Sequence, residues 1–339
     1  MVGLVPAVPL VAGPVPAPVE RCAVDDPRLV ELSGLAVVGN GLWAMADGGR
    51  RVELLRLDPD TCAVAGHRTA DVDPYDAEDL AAAPDGSMWV GDTGDNDRRR
   101  PTVAVIVVPP RGAPELHRMA YPDGPHDAEA LLVDARGVPT LVTKEIGAAG
   151  IYRPEGVLTG TGPTPLVHAG DLVLPSSDTA GGPIGGFGSR TVTGGAVSAD
   201  GRVVALRTYT DAWLFAVADT DRPDAVAAAL RGTPVRVPLP DEPQGEALAF
   251  TADGTLLSGS ESRGGATGQI RAVPGAAALA ARASSSSSAP SSAAPAVPVA
   301  EPVAEPAPAW RPAAIGAAAL VGALGLQAVA MVRQASRRR

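Results

Sequence analysis

A chain of 339 residues with 38 Asp and Glu against 28 Lys and Arg has a formal charge of -10, which argues against nucleic acid as its partner. Aromatic residues make up only 3%, while 39 Gly and 34 Pro suit many short strands joined by turns. The length accommodates one large domain or two ordinary ones.

The first stretch, "MVGLVPAVPLVAGPVPAPVE", is apolar but has no basic n-region and carries five prolines. Residues 1–19 are therefore read as a leader or as the remnant of a signal peptide whose start lies upstream. Cys22 and Cys62 are the two cysteines of the chain, and an extracytoplasmic setting favours a bridge between them over two unrelated buried thiols.

From residue 20 to 275 the chain reads as short apolar runs such as "GLWAMAD", "VELLRLD", "TVAVIVV" and "RVVALRTY", bounded by Gly, Pro, Asp or Asn. Helical periodicity is weak outside "PDAVAAALRG" (223–232). Five hairpin glycines set a register: Gly41, Gly86, Gly137, Gly201 and Gly254, spaced by 45, 51, 64 and 53 residues. That spacing is the size of one four-stranded blade, so the expected fold class is all-β, a β-propeller spanning 20–282 with five visible blades. A sixth blade fits in the long 137–201 interval, where "PLVHAGDLVL" is strand-like. The last repeat stops after its third strand, so residues 20–30 are expected to supply the missing one.

Eight residues before each glycine stand Ser33, Glu78, Glu129, Thr193 and Glu246, and two residues earlier Glu31, Asp76, Asp127, Thr191 and Gln244. Six residues after each glycine come Asp47, Asp92, Thr143 (followed by Lys144), Arg207 and Ser260. In an antiparallel hairpin the start of one strand lies beside the end of the next, so all these columns meet at one mouth of the central channel. The candidate ligand-binding residues are Glu78, Glu129, Glu246, Asp47 and Asp92, with Lys144 and Arg207 opposite them.

Converging carboxylates repel and raise one another's pKa values unless a basic residue or a hard cation neutralises them. All-oxygen donors favour Ca²⁺, with Glu78, Glu129, Asp92 and Asp95 as candidate ligands. The loop "GDTGDNDRRR" (91–100) adds Asp95, Asn96 and Asp97 but lacks EF-hand spacing. The alternative is that the acids hold neighbouring blades together. Histidines 67, 117, 126 and 168 are scattered, and Ser33 has no nucleophile motif around it, which argues against a serine hydrolase.

"ELSGLAV" (31–37), "DAEDLAAAPDGSMWVGDTGDN" (76–96) and "HDAEALLVDARGVPTLVTK" (126–144) resemble a group of bacterial secreted β-propellers. That group includes phytase-like ("esterase-like activity of phytase") and SdiA-regulated domains and many actinobacterial members. The resemblance spans roughly residues 20–275. It implies a mouth holding calcium and a phosphate ester, with Glu78, Glu129, Glu246 and Asp92 as ligands and Lys144 and Arg207 facing phosphate.

After the repeats, residues 283–309 are rich in Ser, Ala and Pro and are read as an extended stalk. The uncharged run "AAIGAAALVGALGLQAVAMV" (313–332) is long enough at 1.5 Å per residue to cross a membrane core of roughly 30 Å. A transmembrane helix is expected over 310–333, with a basic cytoplasmic tail at 334–339 and the propeller outside the cytoplasm. The leading function is a monomeric, membrane-anchored binding module for a small molecule, polymer or envelope protein. A calcium-assisted phosphoesterase and an envelope scaffold are the alternatives.

Overall fold

A computed structural model describes residues 15–287. Its strands fall into five antiparallel groups of four. Unit 1 is β2 (Leu32–Val38), β3 (Gly41–Ala46), β4 (Val52–Leu57) and β5 (Val64–Ala70). Unit 2 is β6 (Ala77–Ala82), β7 (Met88–Asp92), β8 (Val103–Val108) and β9 (Glu115–Ala120). Unit 3 is β10 (Ala128–Val133), β11 (Pro139–Thr143), β12 (Ala149–Pro154) and β13 (Thr164–Leu172). Unit 4 is β14 (Val192–Val197), β15 (Val203–Thr208), β16 (Asp211–Ala216) and β17 (Val235–Pro238).

Unit 5 holds β18 (Gly245–Phe250), β19 (Leu256–Ser260) and β20 (Gly268–Val273), and its fourth strand is β1 (Val19–Val24) from the start of the chain. The expected closure by an N-terminal strand is thus present. "PLVHAGDLVL" forms most of β13, the fourth strand of unit 3, so the described residues contain five units and no sixth. A short parallel pairing of Thr164 with Met119 and Pro165 with Ala120 joins the outer edges of units 2 and 3.

Burial follows position in the unit. The inner strands β10 and β18 are buried throughout, and their small residues ("AEALLV", "GEALAF") let five strands converge. The outer strand β5 alternates buried or half-buried with exposed residues, as one free face requires. Five apolar clusters fill the five seams between neighbouring units, including the seam between units 5 and 1, which closes the ring. The arrangement is propeller-like. The turn glycines 86, 137, 201 and 254 have φ between +71° and +81°, a region that other residues resist. In the first hairpin that role falls to Gly39 (φ 58°), and Gly41 is the first residue of β3.

Two helices decorate the ring: α1 (Ala225–Leu230) and α2 (Ala276–Ser287). The second runs past residue 282 into the stretch read as stalk. No helix among the described residues is long and apolar enough to cross a membrane. Residues 1–14, the rest of the stalk, the apolar run 313–332 and the basic tail lie outside the described residues.

Cys22 in β1 is bonded to Cys62 in the β4–β5 turn, with Cα atoms 5.7 Å apart and a sequence separation of 40. The bridge ties the ring-closing strand to unit 1. Closing a loop of this length is worth about 4 kcal/mol in chain entropy. Reduction, or Cys22→Ser with Cys62→Ser, is expected to lower stability by roughly that amount in urea titrations. An unchanged midpoint would mean that β1 needs no covalent anchor.

Candidate metal centre at the channel mouth

Every inner strand carries a register shift at the same place. The pairing slips between Leu32 and Gly34, Ala77 and Asp79, Ala128 and Ala130, Val192 and Gly194, and Gly245 and Ala247. The extra residues are Ser33, Glu78, Glu129, Thr193 and Glu246, the column that counting from the glycines had singled out. A bulge re-aims the side chain it carries and sharpens the local twist. The hydroxyls at this level link successive units: Ser33 Oγ donates to the Glu78 carbonyl, and Thr193 Oγ1 donates to the Gly245 carbonyl at 2.9 Å. Thr93 makes the equivalent link to the Ala128 carbonyl at 2.7 Å.

The carboxylates gather on the side of units 1 to 3. Oxygens of Asp47, Asp76 and Glu78 lie within 4.8 Å of one another, and so do oxygens of Glu78, Asp127 and Glu129. Glu78 belongs to both groups. It is only 1% exposed, and its Oε1 accepts no hydrogen bond. Burial first, and then the charges of Glu129, Asp47, Asp76 and Asp127, push its carboxyl well above the usual carboxylate range. The loop after β7 closes over the pair: a β-carbon at Gly94 would collide with Glu78 Oε1 and sit 2.8 Å from Asp76 Oδ2. Gly94 is pinned there by its N–H to the Asp76 carbonyl (3.0 Å) and by Arg100, which donates to its carbonyl at 2.6 Å.

Other expected ligands are committed elsewhere. Asp92 accepts from Arg100 Nη2 at 2.9 Å and from the N–H groups of Tyr75 and Asp76, so it shapes the approach to Asp76 and stands in neither carboxylate group. Asp95 accepts from the Arg100 N–H at 2.7 Å, and its own N–H holds Asp127 Oδ1 at 2.8 Å. Both act as supports for the acids. Glu246 accepts from Gln244 Nε2 at 2.6 Å, while its Oε2 has no hydrogen-bond donor.

The two basic residues part company. Lys144 Nζ donates to Glu129 Oε1 at 2.7 Å and lies 5.7 Å from the Tyr209 ring centre. Arg207 does not face the mouth. It is fully buried, donating to Glu242 Oε2 at 2.5 Å and to Ser258 Oγ at 2.7 Å. A lone guanidinium has no stable place in that interior, and Glu242 is the charge that permits it.

The segment 173–191 covers this side of the ring. Ser177 and Thr179 donate to the buried Asp211 at 2.5 and 2.7 Å, and the Asp241 N–H donates to the Ala180 carbonyl at 2.9 Å. A cavity of about 420 Å³ opens between units 1 and 2, lined by Met45, Ala77, Val90 and Asp47, with Arg50 and Arg51 exposed on its rim. Asp47 belongs both to this cavity and to the first carboxylate group.

Sequence reasoning missed Asp79. It is fully buried below Glu78 and accepts from the N–H groups of Leu80 (2.8 Å), Leu131 (2.8 Å) and Gly195 (3.1 Å), so one carboxylate ties three consecutive units. Burial pushes it up to about 8 against the pull of those donors.

No protein-family model and no curated protein matches the chain, so the phytase-like resemblance has no sequence-level support. Among solved structures it is similar to the PQQ-bound aldose sugar dehydrogenase of Streptomyces coelicolor, at 12% identity and a TM-score of 0.41, over 75% of this chain and 96% of that one. A gluconolactonase from Xanthomonas campestris is 18% identical at a TM-score of 0.40, over 72% of each chain. A virginiamycin B lyase from Staphylococcus aureus is 10% identical at 0.36, over 74% of this chain and 68% of that one. Likenesses this distant carry no argument about the chemistry of this chain.

Proposed function

We propose that this chain is a cation-dependent ligand-binding propeller, displayed outside the cytoplasm as a monomer by the apolar run 313–332. Asp47, Asp76 and Glu78 would hold a hard divalent cation, calcium in the first instance, and an oxygen-rich ligand would reach it from the cavity between units 1 and 2. The observation that carries this reading is the buried Glu78 carboxylate, with Oε1 lacking a hydrogen bond among four other acids. A purely structural acid at this depth would be satisfied by N–H groups, as Asp79 is. The donors are all oxygens, which suits calcium over zinc.

Ester hydrolysis is the weaker reading, because the two basic residues expected to face a phosphate are both engaged by acids. Arg207 is committed to Glu242, and Lys144 already contacts Glu129.

The test is a calcium titration of the full-length, EDTA-stripped protein in detergent. One ion is expected per chain. At a hundredfold excess over Kd, binding stabilises by about 2.7 kcal/mol, which raises the melting temperature by roughly 5–10 °C. No heat and no shift at millimolar calcium or manganese would overturn the proposal.

A further inference from the structure

We infer that Lys144 is a built-in counter-ion that occupies the place of a second metal ion and holds the mouth to one. The inference rests on the cation-binding reading above. Glu78 is shared by two groups of the same make-up, three carboxylates each with oxygens within 4.8 Å. By donor chemistry alone either group would accept a hard cation, and a shared carboxylate is suited to bridging two. Their other members differ: Asp47 and Asp76 in one, Asp127 and Glu129 in the other. The Nζ of Lys144 lies 2.7 Å from Glu129 Oε1, in the group formed by Glu78, Asp127 and Glu129.

That ammonium is held from several directions. The Lys144 backbone N–H donates to the Asp127 carbonyl at 2.8 Å, which fixes the start of the side chain next to the acids it serves. Its side chain is 14% exposed, and its Nζ lies 5.7 Å from the Tyr209 ring centre. The Asp127 carboxylate is fixed in turn by the Asp95 N–H at 2.8 Å, and Glu129 is 1% exposed on its bulge. A divalent ion entering this group would meet a tethered positive charge competing for the same oxygens at short range, where low dielectric makes repulsion strong. Asp47, which belongs to the other group, lines the open cavity. Lys144 thus sets both the number of ions and the side of the mouth on which the ion sits.

The experiment is a count of bound ions by calorimetry and by terbium luminescence, on the full chain in detergent. Wild type is expected to bind one ion. Lys144→Met, which keeps the stem and removes the charge, is expected to bind two, and Lys144→Gln repeats the test should the first variant fold poorly. Lys144→Arg keeps the charge and is expected to bind one. Two ions in wild type, or one in both neutral variants, would overturn the role of Lys144 while leaving cation binding standing. Zero ions in wild type would overturn the underlying reading together with it.

Discussion

In cation-free buffer near pH 8, Glu78→Gln is expected to melt above wild type and to lose its response to calcium. The glutamine amide is neutral at every pH, so it removes the cost of either ionising Glu78 in the interior or keeping it protonated above its unfolded pKa, which runs to several kcal/mol. Its N–H groups also have acceptors on every side in Asp47, Asp76, Asp127 and Glu129. A net gain of about 1–3 kcal/mol corresponds to roughly 3–10 °C for a domain of this size. The same change removes the oxygen shared by both carboxylate groups, so added calcium should leave the melting curve where it is. Stability and function therefore pull in opposite directions at this residue. A variant that melts lower than wild type and still shifts fully with calcium would make Glu78 a framework residue, and the proposed cation site would fall.

Without added cation, stability is expected to decline as pH rises from about 4 to about 8. Asp79 titrates near 8 in the folded chain and near 3.9 when unfolded, and Glu78 is raised in the same sense. Inside that window the folded state keeps protons that the unfolded state has released, so unfolding is favoured as pH increases. Each pH unit removes up to about 1.4 kcal/mol per such group. The groups facing Asp79 are the three N–H donors from units 2, 3 and 4; those facing Glu78 are the four acids, with Lys144 behind Glu129.

The acid limb has other owners. Hydrogen bonds from the side chains of Thr61, Ser87 and Thr251 hold Asp58, Asp85 and Asp253 below the usual carboxylate range. Their contribution is present above the unfolded pKa and is lost as pH falls through the folded one. Maximum stability is thus expected at about pH 4–5. Calcium should lift the alkaline side selectively, because an ion competes with the proton on Glu78. Urea titrations across pH 3–9, with and without calcium, measure both limbs. Stability that rises from pH 4 to 8 in the absence of cation would mean that the buried acids are ionised and compensated.

Much of the architecture can be read from hairpin chemistry. Gly86, Gly137, Gly201 and Gly254 sit where a left-handed turn is needed, and their spacing counts the units. Counting eight back from them, and from Gly41 in the first hairpin, reaches the bulged residue in all five inner strands, although nothing in the residues announces a bulge. Strict alternation places Asp79 on the face opposite Glu78. The register slip at Glu78 breaks that alternation, and Asp79 instead ends beneath it on the channel side. Arg207 was misjudged for a related reason. Its register is right, but the partner that draws it inward, Glu242, lies outside every repeating column. Arg100 went unnoticed as the last of three arginines in a loop that reads as solvated, yet it is the buried one. Columns report which residues share a level. They are silent on which partner each residue turns toward.

The five bulges have a consequence for how such a ring changes over time. Each places one side chain at the same height on its own strand, in a backbone detour already present whether the residue is an acid or a hydroxyl. An acid at Ser33 or Thr193 would therefore add one charge to the collar without a new bulge, losing only the hydroxyl's link to the next unit. The valence of the mouth is set at five equivalent backbone positions, open to selection one residue at a time.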